Sequence, residues 1–462
     1  MARSSERLAI CLSTKPRHIL SWLNKHVAPE ASSAATTDQG GSCVVAVMST
    51  DIPLNSEPGT ENGNCVSISK DEVGWRRAIR NFTPSWFAVN MGTGVVSILL
   101  HTLPYNARWI SHGVAIAFFV LNIVVFIIFT VMSIMRYTLY PEIWTAMLGN
   151  HEESILLGCF PMGLATIIDM MISTCYHWGD WLLYLAWALW WFDVILSVAT
   201  CTTVPFIIFR RQKPRLDAVT ANFLFPNLPV IVAAGEGSVV ANALPSKSHA
   251  MTTLITCYVL WGIGECFTGL VLALYLHRLT VHGLPPRETI VSVFLPLGPL
   301  GQGGFGIQHL GIVALKLSPS SASSVIAAEE LRSAAGPWMH GGEILHVLGT
   351  FLALCMWGFG VVWLSLAVFS LAALRRFPFN VGWWGFTFPL GVLATCTGIL
   401  AESLDSVFFR VMTMIFSLSV CLLWLMVAVG TLQRVWTGVI FQAPCIRDLR
   451  EKERQRVSDG RV

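Results

Sequence analysis

Residues 81–105, NFTPSWFAVNMGTGVVSILLHTLPY, constrain the fold more than any other stretch of the chain. The run is long and apolar enough to cross a bilayer, which takes about 20 helical residues. It opens on Pro84 and carries Gly92 and Gly94 in its middle. A helix that only anchors needs neither a break nor a surface for close approach. The same plan returns four times downstream, so these helices do more than hold the chain in a membrane.

Ten spans of suitable length follow from the hydropathy pattern: 84–103, 110–135, 154–175, 181–208, 226–244, 250–276, 289–315, 343–373, 383–402 and 407–432. With 54% hydrophobic and 12% charged residues, an ordinary soluble domain is excluded. Eighteen tryptophans suit membrane interfaces. The basic residues lie in short clusters without a recognition fold, so nucleic acid is not a partner. Arg76, Arg77 and Arg80 precede the first span; Arg136, the Arg210–Arg215 cluster, Arg278, Arg287, Arg375 and Arg376 follow even-numbered spans. The opposite loops hold only isolated cations, among them Lys316, so positive charge places both termini in the cytosol and 316–336 outside. Residues 1–73 read as a disordered cytosolic tail, 74–440 as a ten-helix transmembrane domain and 441–462 as a basic cytosolic tail. The basic amphipathic piece 74–80 lies along the inner membrane surface.

The odd-numbered spans share a design. Their breaks are Pro84, Pro161, Pro229, Pro299 and Pro389, each followed by glycines, whereas even spans lack internal proline except Pro205. This is a five-fold hairpin repeat with a period of about 70 to 90 residues. A proline inside a helix frees backbone groups, and in hydrocarbon these persist only beside protein or a wet cavity. Five breaks at similar depth imply an inner ring of five odd-numbered helices around a central pore. Helix ends facing that pore attract anions without a buried cation. Between the span ends the only lysine or arginine is Arg410, near the start of the last span.

Asn90, Asp169, Glu236 and Gln308 each fall roughly 9 to 14 Å beyond their prolines, with Thr93 close to Asn90. They form either a polar ring along the pathway or a set of structural hydrogen bonds. Intramembrane carboxylates are costly enough to be functional candidates by default; Asp193 and Glu265, on even spans, link neighbouring helices. His309 is the histidine placed beside the pore. His340, Glu343 and His346 carry one E-x-x-H spacing, too little for a metal site without converging partners. The run GPLGQGGFG at 298–306 lacks the Lys-Ser/Thr of a phosphate loop. Twelve scattered cysteines show no zinc spacing. No metal, no cofactor and no catalytic residue is expected, and the chain reads as a transporter rather than an enzyme.

The opening run together with FPMGLATI, LPLGPLGQGGFGIQ and WWGFTFPLG resembles the tellurite-resistance/dicarboxylate transporter family. That family includes slow anion channels, malate permeases and fungal sulfite efflux pumps, the last being nearest in wording. The resemblance covers about 75–440 and implies a plasma-membrane homotrimer with one pore per subunit. It also implies a phenylalanine plug on the ninth span, mapping to Phe388 with Phe386 as the alternative. The expected substrate is sulfite or another small anion, with malate or a related dicarboxylate as the runner-up.

Overall fold

The computed structural model describes residues 74–105, 109–318, 340–374, 376–438, 440–447 and 449. The tail 1–73, most of the 316–336 loop and the basic end of the chain lie outside these. Every regular element among the described residues is helical. We label the ten long helices α1 (Phe87–His101), α2 (Ala115–Leu139), α3 (Cys159–Cys175), α4 (Asp180–Ile207), α5 (Leu228–Ala243), α6 (Lys247–His282), α7 (Leu297–Leu317), α8 (Gly341–Ala372), α9 (Thr387–Ser403) and α10 (Val407–Thr437). Among the described residues, eight helical stretches are long and apolar enough to cross a membrane. The other two, α1 and α5, have 15 and 16 residues. They are short because the chain enters them by another route.

Each odd-numbered helix is preceded by a 3-10 segment: Pro84–Trp86, Ile155–Gly158, Ala221–Leu224, Ile290–Phe294 and Val381–Phe386. Pro229 is the second residue of α5, and Pro161, Pro299 and Pro389 are the third of α3, α7 and α9; Pro84 opens its 3-10 segment. A proline in a first turn replaces an N–H that has no intrahelical acceptor. The break expected within each odd span is thus a 3-10-to-α junction at the helix start.

Burial separates the two sets of helices. In the most apolar stretch around α7, 94% of residues are buried, against 17% in that of α2. The even helices carry large exposed apolar side chains, such as Ile127 and Val131 on α2, Leu270 on α6, Phe369 on α8 and Leu418 on α10. In water that much exposed hydrocarbon would drive association, so lipid is its fitting solvent. Each odd helix packs on the even helix that follows it, and the odd helices also pack on one another: α1 on α3, α3 on α5, α5 on α7, α7 on α9, and α9 back on α1. Glycine permits the closest of these approaches. A Cβ on Gly301 would lie 2.5 Å from the Leu393 backbone nitrogen of α9, and one on Gly94 would strike the Thr166 hydroxyl of α3.

Helices longer than hydropathy indicates change the place of several cations. Arg136 falls in the last turn of α2, Arg278 within α6, Lys316 within α7 and Arg410 within α10. Arg136 and Arg278 are buried rather than loop charges. Arg278 donates to the carbonyls of Gly283 and Asp217. Arg136 lies 3.4 Å from Glu153 and donates to the Phe82 carbonyl at 2.6 Å. The same pair holds the segment after α10: the Cys445 N–H donates to Glu153 Oε1 at 2.8 Å, and Phe441 stacks on Trp86 at 5.2 Å. Cys445, Ala443 and Ile446 then pack with Ile143 and Met147 of the short helix Pro141–Gly149. The span read as ending at 432 therefore continues to Thr437, and part of the region read as tail is packed structure.

Candidate functional site

An α-helix advances roughly 100° per residue, so the contacts of a helix reveal which of its faces is left for the interior. On α7, Gly303 meets Glu265 of α6 and Met356 of α8, and Gly311 meets the backbone of α8 at His346. Gly304 meets Cys396 of α9 on one flank, and Gln302 lies against Gly235 of α5 on the other. The remaining stripe, Phe305, His309 and Ile312, is part-exposed and points away from α6 and α8. That stripe lies on the side of α7 turned away from both of its even-numbered neighbours.

The same projection applied to α9 separates the two phenylalanines. Thr397 accepts from Trp357 of α8 and Leu393 lies against Gly360 of α8, which marks the outer face. Gly391 meets Val95 of α1, and Cys396 meets Gly304 of α7, which marks the flanks. Phe388, Thr395 and Ile399 lie on the face opposite Thr397. Phe386 belongs to the 3-10 segment before α9, and its ring packs edge-on against Phe294 at 4.9 Å and Trp383 at 5.7 Å. Phe388 is also buried, at 3% exposure, but makes no ring contact among the described residues.

On α3, Asp169 lies between a flank facing α1, where Thr166 meets Gly94, and a flank where Ile168 packs with Val230 and Ala233 of α5. Glu236 of α5 is near enough to Asp169 and Asp193 for their charges to interact. Glu236 Oε2 and Asp193 Oδ1 are buried with no hydrogen-bond partner among the described residues. Ser238, one half-turn beyond Glu236, meets His309 Nδ1 at 2.8 Å. Asp169 and Glu236 thus come from two successive odd helices into electrostatic reach of each other, while His309 of the next odd helix meets α5 at Ser238.

The other expected ring members make hydrogen bonds within and between helices. The Asn90 amide donates to the main-chain and side-chain oxygens of Asn122 on α2, and Asn122 donates onward to Thr166. Thr93 donates to Val89 and accepts from Trp424 of α10. Gln308 is fully buried and donates to the Ile399 carbonyl of α9 at 3.3 Å. All three side chains are engaged by neighbouring groups of the fold. Distance along a helix from its proline sets depth, but only rotation about the helix axis decides which neighbour a side chain meets. Asn122, Thr166 and Ser238 had no distinguishing signal in the sequence; each is a lone polar residue in an apolar run. No group of three or more His, Cys, Asp or Glu suited to a metal ion occurs among the described residues, and His340 pairs with Glu343 at an exposed position.

Residues 81–432 match the family described as voltage-dependent anion channel. The chain is 44% identical to a sulfite efflux pump of Arthroderma otae over 366 residues, covering 79% of this chain and 94% of that protein. A sulfite efflux pump of Trichophyton rubrum is 42% identical with the same coverage. The malic acid transport protein of Schizosaccharomyces pombe is 22% identical, covering 78% of this chain and 80% of that protein. The breaks, the glycine contacts and the burial pattern thus run through a matched region that is nearly the whole helical part, and the chain belongs to the voltage-dependent anion channel family, whose members include the tellurite-resistance/dicarboxylate transporters.

Proposed function

We propose that this protein exports sulfite across the plasma membrane, moving sulfite or bisulfite through a pore enclosed by α1, α3, α5, α7 and α9. The observation that carries the reading is the 44% identity to a sulfite efflux pump over 94% of that protein's length. In this reading the ten helices form five hairpins, each with an inner odd and an outer even member, and both termini are cytosolic. The chain assembles as a homotrimer with one pore per subunit, and Phe388 plugs each pore. The closed succession of contacts among the odd helices and the inward face of Phe388 support the arrangement.

The second reading, a malate or other C4-dicarboxylate permease or an anion channel, draws on the malic acid transport protein. A two-headed anion favours a fixed cation at its binding site. Lys316, on the inner stripe of α7, is exposed near the helix end and bonded to Asn242. The arrangement therefore favours the smaller anion. Labelled sulfite and malate flux in proteoliposomes, with and without a pH gradient, tests this. Sulfite should pass well above malate; malate moving faster than sulfite overturns the assignment.

A further inference from the structure

The hydrogen-bond geometry around His309 fixes which of its ring nitrogens meets the substrate. Ser238 Oγ lies 2.5 Å from the Gly235 carbonyl, to which it donates, and 2.8 Å from His309 Nδ1. A hydroxyl has one hydrogen, so with that hydrogen on Gly235 it can only accept from the ring. The neutral imidazole then carries its hydrogen on Nδ1 and presents Nε2 as a lone-pair acceptor. His309 is part-exposed, and its Nε2 has no protein hydrogen-bond partner among the described residues. Phe305, stacked on the ring at 5.6 Å, holds it on the inner stripe of α7.

We propose that His309 Nε2 accepts a hydrogen bond from the O–H of a protonated oxyanion, so that the transported species is bisulfite rather than the sulfite dianion. The inference rests on the sulfite-export reading and deepens it. An anion with no hydrogen to give, such as nitrate or the dianion, meets lone pair against lone pair at Nε2. The surrounding charge acts in the same direction. On α5, Glu236 lies two residues from Ser238 and stands near Asp169 of α3 and Asp193 of α4. When ionised, these carboxylates repel a dianion about twice as strongly as a monoanion. Lys316, two turns along α7, is held by Asn242, while Glu265 of α6 and His346 of α8 lie against the opposite face of α7.

The test uses the purified full chain in liposomes. Labelled sulfite flux is measured at fixed total concentration through a series of symmetric pH values across neutrality, where sulfite and bisulfite interconvert, with nitrate flux measured alongside. Wild-type flux should follow the bisulfite fraction. In His309→Asn the amide still reaches Ser238 but nothing occupies the Nε2 position, and the sulfite-to-nitrate ratio should fall about tenfold, the worth of one hydrogen bond. His309→Gln, whose amide oxygen reaches that position, should retain most of the ratio. Wild-type flux that follows the dianion, or His309→Asn with an unchanged ratio and pH profile, overturns the proposal. Wild-type liposomes that pass no sulfite at any pH overturn the export reading and this inference with it, before any variant is made.

Discussion

A phenyl ring on the inner face of α9 obstructs an anion by volume and by apolarity, because a narrow hydrophobic constriction dewets and strips the ion of its water. In the proposed pore Phe388 would have that placement, and no other ring stacks on it among the described residues. Phe388→Ala should therefore raise anion flux several-fold and loosen selectivity while the protein keeps its fold. Phe386 packs against Phe294 and Trp383, so Phe386→Ala should leave flux per folded molecule near wild type and cost about 3 kcal/mol of stability through the cavity it opens. Flux and thermal melting of both variants separate the two roles. A flux gain from Phe386→Ala alone would move the plug there.

At the scale of an element, the segment after α10 depends on a buried ion pair. Arg136 and Glu153 are 0% and 2% exposed, and Glu153 accepts from the Cys445 N–H. Removing one partner leaves the other charge buried and uncompensated, which costs about 3–5 kcal/mol. Arg136→Met should thus release residues 440–447 and expose Cys445 to a thiol reagent that wild type resists. Burial first, then the Glu153 charge, push the Cys445 thiol up to about 12, against the opposing pull of Arg136. A thiol raised in the folded state adds stability at low pH that is lost as pH climbs. The segment should stay protected below about pH 9 and loosen between there and 12. Equal labelling of wild type and Arg136→Met at neutral pH would mean that the ion pair does not hold it.

For the whole molecule, the even helices offer lipid a continuous apolar exterior, part of which a trimer would cover. The proposed assembly predicts a particle of three chains by native mass measurement in detergent, and a lone chain that transports sulfite would remove the trimer from the mechanism. The proposed orientation predicts that a tag at Ser320 labels intact cells. A tag that labels only after permeabilisation would invert the topology.

The residues by themselves determined that the chain is helical and membrane-embedded, because runs of about 20 apolar residues leave the backbone no other way to satisfy its hydrogen bonds. The proline and glycine pattern also separated odd from even helices, since only close-packed inner helices need both. The tertiary structure decided what lies at each rotation about an axis. It turned Asn90 to Asn122, Thr93 to Trp424 and Gln308 to Ile399, while bringing Glu236 near Asp169 and His309 to Ser238. It also moved Arg136 from a loop into a buried pair with Glu153, a partner 17 residues away. In an inner helix apolar residues surround every face, so its own pattern carries no azimuth. The direction of a polar side chain is set by neighbours that only the packed fold supplies.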